Sequence, residues 1–169
     1  MRAFFMLGAL LAVWAAPAAA QSAPATAVQT FMSHTEILAL IDKAKADRQG
    51  EAPLVSEPIL TLAPYRAQLE YRPLTAPAAF HEKDAELMVV LQGRGVIVTG
   101  GTLVDEKRVN ANNLSGSSIA DGHSQTVVEG DTLIVPAHTA HQVIPGGGAP
   151  IVLMTLHMPQ PTPNWPPAN

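Results

Sequence analysis

The apolar positions change period along the chain, and each change marks a boundary. Phe4 to Ala16 is a continuous apolar run behind a positive start at Met1-Arg2, and it ends in Pro17-Ala18-Ala19-Ala20. A run this short does not span a bilayer, and small residues after it suit a signal peptidase. Residues 1–20 are therefore expected to be a secretory signal peptide, with Gln21 as the first mature residue. Residues 21–32 are rich in Ala, Pro, Ser and Thr and read as a flexible tether. Ser33-His34-Thr35-Glu36 has the spacing of a capping box. Ile37, Leu38, Leu40, Ile41 and Ala44 follow at helical intervals, so a helix is predicted within residues 33–50, ending near Gly50. His34 reads as a solvated residue of its first turn.

Beyond Pro53 the period shortens to two. Ile59 to Leu62 reads as a short strand. Tyr65 to Arg72 alternates, with Tyr65, Ala67, Leu69 and Tyr71 on one face and Arg66, Gln68, Glu70 and Arg72 on the other. Alternation defines the two faces but does not say which one points inward. Glu86 to Val98 is an apolar hairpin turning at Gln92-Gly93-Arg94-Gly95. Thr102 to Ser118 is polar and irregular, and reads as a long excursion with a short strand at Leu103-Val104. Asp121-Gly122 is a hairpin-turn signal. Leu133 to Val135, His141 to Ile144 and Ile151 to His157 supply the last strands, and residues 159–169 form a Pro-rich tail. One leading helix followed by many short strands indicates an all-β barrel or sandwich.

Composition narrows the classes of function. The chain has 169 residues, a formal net charge of −4 and 10 Lys+Arg with no basic stripe, which argues against nucleic acid as a partner. Without the signal it is of single-domain size. It contains no cysteine, so disulfides, thiolate metal sites, a Cys nucleophile and a lipid-bearing Cys are all excluded. No membrane anchor is expected after signal cleavage, and the localisation expected is periplasmic or secreted. Gly93-Arg94-Gly95 precedes no helix, so it is a turn and not a dinucleotide fingerprint.

Two segments carry the candidate chemistry. The first runs from His81 through Glu86 to Gly93, with six residues between Glu86 and Gly93. The second is Gly130, five residues, Pro136, and His141 five places later. With their order and spacing, residues 57–158 resemble the cupin superfamily. The resemblance implies a cupin-type jelly-roll β-barrel with one N-terminal helix. It also implies one divalent metal ion (Fe, Mn, Zn or Ni) held by His81, Glu86 and His141. Imidazole and carboxylate suit such ions, and three ligands on one side leave open positions.

The chain departs from the family pattern in three places. The usual His-x-His pair is incomplete, because Ala79 and Lys83 stand where a second His would fall. His138 replaces the Gly usual after the motif-two Pro, and Pro145 replaces a later Asn. His157 is a candidate substitute ligand, facing inward or outward according to register. Met88 and Val90 share a face with Glu86 and are expected to line the pocket with His157 and Tyr71. Arg66 and Arg72 are read as surface residues, His138 as a rim residue and His123 as exposed.

The residues do not identify a catalytic group or choose a reaction. With the signal peptide expected at residues 1–20, the resemblance implies an exported metal-dependent protein acting on a small organic molecule inside the barrel, of dioxygenase, isomerase or lyase type. It is also compatible with a non-catalytic small-ligand-binding barrel, with or without metal, or with a structural dimer whose pocket is vestigial. A homodimer is expected under each reading.

Overall fold

A computed structural model describes residues 27–160. The signal-peptide reading of residues 1–20, the first part of the tether and residues 161–169 of the tail lie outside the described residues. Within the segment read as a tether, Gln29 exchanges two backbone hydrogen bonds with Thr61, of 2.9 and 2.8 Å, so the chain is bonded to the sheet there.

Helix α1 spans His34–Asp47. Ser33 caps it: the Glu36 amide donates to Ser33 Oγ at 3.3 Å, and the Ser33 amide donates to Glu36 Oε2 at 2.7 Å. Ile41 and Ala44 are the buried positions of its apolar stripe.

Thirteen strands follow among the described residues. β1 is Val55–Leu62, β2 Tyr65–Arg72, β3 Ala78–His81, β4 Asp84–Gln92, β5 Arg94–Thr99, β6 Thr102–Val104 and β7 Lys107–Asn110. β8 is Asn113–Gly116, β9 Ser118–Ala120, β10 His123–Val128, β11 Thr132–Val135, β12 Ala140–Pro145 and β13 Ile151–Pro159. One sheet has the order β1-β2-β13-β4-β11, a second the order β10-β5-β12-β3-β8-β7, and β6 pairs with β9 alone. All these pairings are antiparallel. Sequence-distant strands lie side by side in both main sheets, as in a jelly roll. No helix among the described residues is long and apolar enough to cross a membrane.

Alternation along the strands builds two cores. Met88, Val90, Val135, Ile151 and Leu153 from the first sheet meet Ile97, Val127 and Val143 from the second, which fills the space between the sheets. On the other face of the first sheet, Ala67, Leu69, Tyr71 and Val152 pack under Ile41 and Ala44 of α1. This decides the facing of β2. Its apolar residues lie beneath the helix, and its polar residues share the face of the barrel interior. Tyr71, expected to line the pocket, therefore belongs to the layer under the helix. Arg72, read as a surface residue, is buried. Its Nε and Nη2 lie 2.8 and 2.7 Å from Glu70 Oε2, a pairing that makes burial of both charges tolerable.

Two further expectations are corrected. Thr102 to Ser118 is not an irregular excursion: it supplies β6, β7, β8 and the start of β9. All four residues of β7 are exposed, and a strand with no buried face leaves no hydrophobic alternation to read. Asp121-Gly122 does not close a hairpin, because β9 pairs with β6 while β10 pairs with β5. The β4–β5 turn does form as read. Gly93 has φ +86° there, and a Cβ would lie 2.5 Å from the Pro150 carbonyl oxygen, so glycine is required on both counts.

Candidate metal centre

Four strands bring four side chains to one end of the interior. His81 ends β3, Glu86 lies near the start of β4, His141 near the start of β12 and His157 towards the end of β13. The apolar core occupies the depth of the barrel beyond them. On β4, Glu86, Met88 and Val90 succeed one another on the inner face, and Met88 and Val90 are fully buried in that core. They form the floor beneath the polar end.

The geometry centres on Glu86. His141 Nε2 lies 2.9 Å from Glu86 Oε2, His81 Nε2 lies 3.4 Å from the same oxygen, and His157 Nε2 lies 3.7 Å from Oε1. Ligand atoms of His81, Glu86 and His157 all fall within 4.8 Å of one another, a cluster that could hold a metal ion. Donors about 2.1 Å from an ion lie no more than roughly 4.2 Å apart when opposite, so small side-chain adjustments suffice to close around one. That group takes in His81 and Glu86 with His157, which register turns inward, directly across from Glu86 in the β13–β4 ladder; His141 lies against Glu86 Oε2 but falls outside the group. Side-chain exposure is 3% for Glu86 and 4% for His141, against 16% for His81 and 18% for His157. The last two therefore line the mouth.

The outer partners of the imidazoles define what their inner nitrogens offer. His81 Nδ1 lies 2.8 Å from Asn113 Oδ1, and His141 Nδ1 lies 3.4 Å from the Thr139 carbonyl oxygen. Each neighbour is an acceptor, so Nδ1 carries the proton and Nε2 turns a lone pair towards Glu86. Glu86 Oε2 is buried and has no hydrogen-bond partner among the described residues. Lone pairs of two imidazoles and a carboxylate oxygen consequently face one another across 2.9 and 3.4 Å. Such an arrangement needs a cation, either a proton on an imidazole or a metal ion. The residues present fit a divalent ion with nitrogen and oxygen ligands.

The electrostatics follow the same logic. Burial alone would raise the Glu86 carboxyl, but when His141 and His81 carry a proton on the inner nitrogen their hydrogen bonds outweigh burial and hold the carboxyl well below the usual range. Burial lowers His81, yet Glu86 and Asn113 together raise it above its ordinary value. At His157 burial prevails over the pull of Glu86, and that imidazole is lowered.

Asn113 is the residue that reading the sequence missed. It sits on β8, opposite His81 in the β3–β8 ladder, and 32 positions away in the chain. His138, with φ +60°, is exposed on the turn before β12 and packs edge-on against Phe80 at 6.2 Å. His123 is exposed.

No family model matches the chain, and no curated protein matches it either. Solved structures do. A Bacillus halodurans protein is 17% identical, with 80% of this chain and 85% of that one covered and a TM-score of 0.51. A conserved protein with a double-stranded β-helix domain from Klebsiella pneumoniae is 13% identical, with 70% and 86% covered and a TM-score of 0.51. This chain has the cupin fold. A cupin superfamily protein from Desulfitobacterium hafniense is also similar, at 18% identity, 69% and 87% coverage and a TM-score of 0.46. At these identities the likeness concerns the fold. The cupin barrel of this chain begins at Val55 and ends at Pro159, and its polar end is the one that carries Glu86 and the three histidines.

Proposed function

We propose that this cupin barrel is an exported protein that holds one divalent metal ion through His81, Glu86, His141 and His157 and acts on a small organic molecule at its mouth. The observation that carries the reading is the unpartnered Glu86 Oε2, buried among imidazole nitrogens whose own outer partners are acceptors. Three imidazoles and one carboxylate suit a first-row ion, which supplies a Lewis acid with open coordination positions. Met88, Val90 and Val143 close the inner side with apolar surface and exclude water there. His81 and His157 border the open side, so the molecule acted upon enters past them. Dioxygenase, isomerase and lyase chemistry all fit this arrangement. The export reading rests on the N-terminal apolar run and its small-residue end.

Elemental analysis tests the reading. The native chain, purified without chelator, is compared with a His81→Ala, His141→Ala double variant. Near-stoichiometric metal in the native protein and little in the variant is the expected result. Absence of metal from the native protein, even after incubation with excess divalent ions, would overturn it.

A further inference from the structure

Beside the metal centre, a cavity of about 550 Å³ opens at the barrel mouth, lined by Val28, Pro64, Tyr65, Arg66, Asp84 and His157, among others. Arg66 is paired with His157 in the β2–β13 ladder, and His157 with Glu86 in the β13–β4 ladder. The three residues stand in one row across the sheet on its inner face. Neighbouring strands are about 4.8 Å apart, so the Arg66 backbone is roughly 10 Å from that of Glu86, within the span of a small molecule. Arg48, Arg72 and Arg108 each hold a carboxylate. Arg66, exposed as the sequence reading expects, has none within 4.0 Å among the described residues and lines the cavity.

Resting on the metal-site reading above, we propose that Arg66 is a carboxylate subsite and that the molecule acted upon is a small monocarboxylic acid. Its carboxylate binds the Arg66 guanidinium, and its remaining polar group reaches the metal centre past His157. A guanidinium fork matches a carboxylate in shape and charge, and its hydrogen bonds are charge-assisted. Asp84, in the same cavity, repels a second carboxylate and favours a hydroxyl or amino donor there. The subsite therefore selects for one acid group, oriented with its other end inward.

The test uses the full chain loaded with zinc and a graded series of ω-hydroxycarboxylates, each beside its neutral amide. Binding is measured by calorimetry, and zinc content is measured in parallel. At least one acid is expected to bind about tenfold or more tighter than its amide. Arg66→Gln should remove that preference while zinc content stays unchanged, and Arg66→Lys should restore part of it. Equal affinity of acids and amides, an Arg66→Gln protein that keeps the preference, or no binding by any acid would overturn the proposal. Failure to load zinc would overturn the metal reading instead, and the same acid–amide comparison on the metal-free protein would still decide the role of Arg66.

Discussion

His157 and Glu86 face each other on neighbouring antiparallel strands, with Nε2 3.7 Å from Oε1. One residue of slip between β13 and β4 would turn His157 out of the barrel and Leu156 into it. The register set by the buried apolar positions of β13 therefore supplies a fourth side chain to the centre. Replacing His157 by Ala is expected to weaken metal binding by about ten- to a hundredfold while the barrel stays folded. The same change at exposed His123 should leave metal affinity unaltered. Competition titration with a chromogenic chelator measures both.

Asn113 acts through His81. Its amide oxygen accepts a hydrogen bond from His81 Nδ1–H and so turns Nε2 towards Glu86. Asn113→Ala removes that acceptor, and about a ten- to hundredfold loss of metal affinity is expected. Asn113→Asp keeps an acceptor and should retain most of the affinity. If both variants bind metal like the native protein, Asn113 has no part in orienting His81. Nitrogen NMR of the histidine rings reports the tautomer directly, and Asn113→Ala should alter it for His81.

The two cores should be separable. Leu69 is fully buried between β2 and α1, on the face of the sheet opposite the centre. Leu69→Ala is expected to cost about 2–5 kcal/mol of stability, as large-to-small changes in cores do. Metal affinity of the folded fraction should not change. Denaturant unfolding and metal titration of the same sample check the two halves of this expectation.

Metal removal should destabilise the native protein. A ligand that binds the folded state alone raises stability in proportion to the logarithm of its free concentration over Kd. Chelation is expected to lower Tm for the native chain and to leave Tm unchanged for a His81→Ala, His141→Ala variant. Scanning calorimetry with and without chelator gives the comparison.

Much of this arrangement is legible in the sequence because it rests on local periods and spacing. The capping box at Ser33 and Glu36, the turn at Gly93 and the inward row of Glu86, Met88 and Val90 each follow from a few neighbouring residues. Other features depend on contacts that no local pattern records. Alternation in Tyr65–Arg72 marks two faces, but the polar face turns inward only because α1 covers the apolar one. β7 is hidden because it has no buried side. Asn113 looks like any polar strand residue until β3 and β8 pair and place it against His81. The facing of His157 depends on a register that a single residue of slip would reverse.

X-ray absorption spectroscopy of the metal-loaded protein tests the convergence of these side chains most directly. Three imidazoles and one carboxylate on a single ion should give the outer-shell scattering of several histidine rings, and Glu86→Ala should alter the oxygen contribution while the ring signal persists. A spectrum dominated by water or carboxylate oxygen, with no imidazole scattering, would place the ion elsewhere and contradict a centre built from His81, Glu86, His141 and His157.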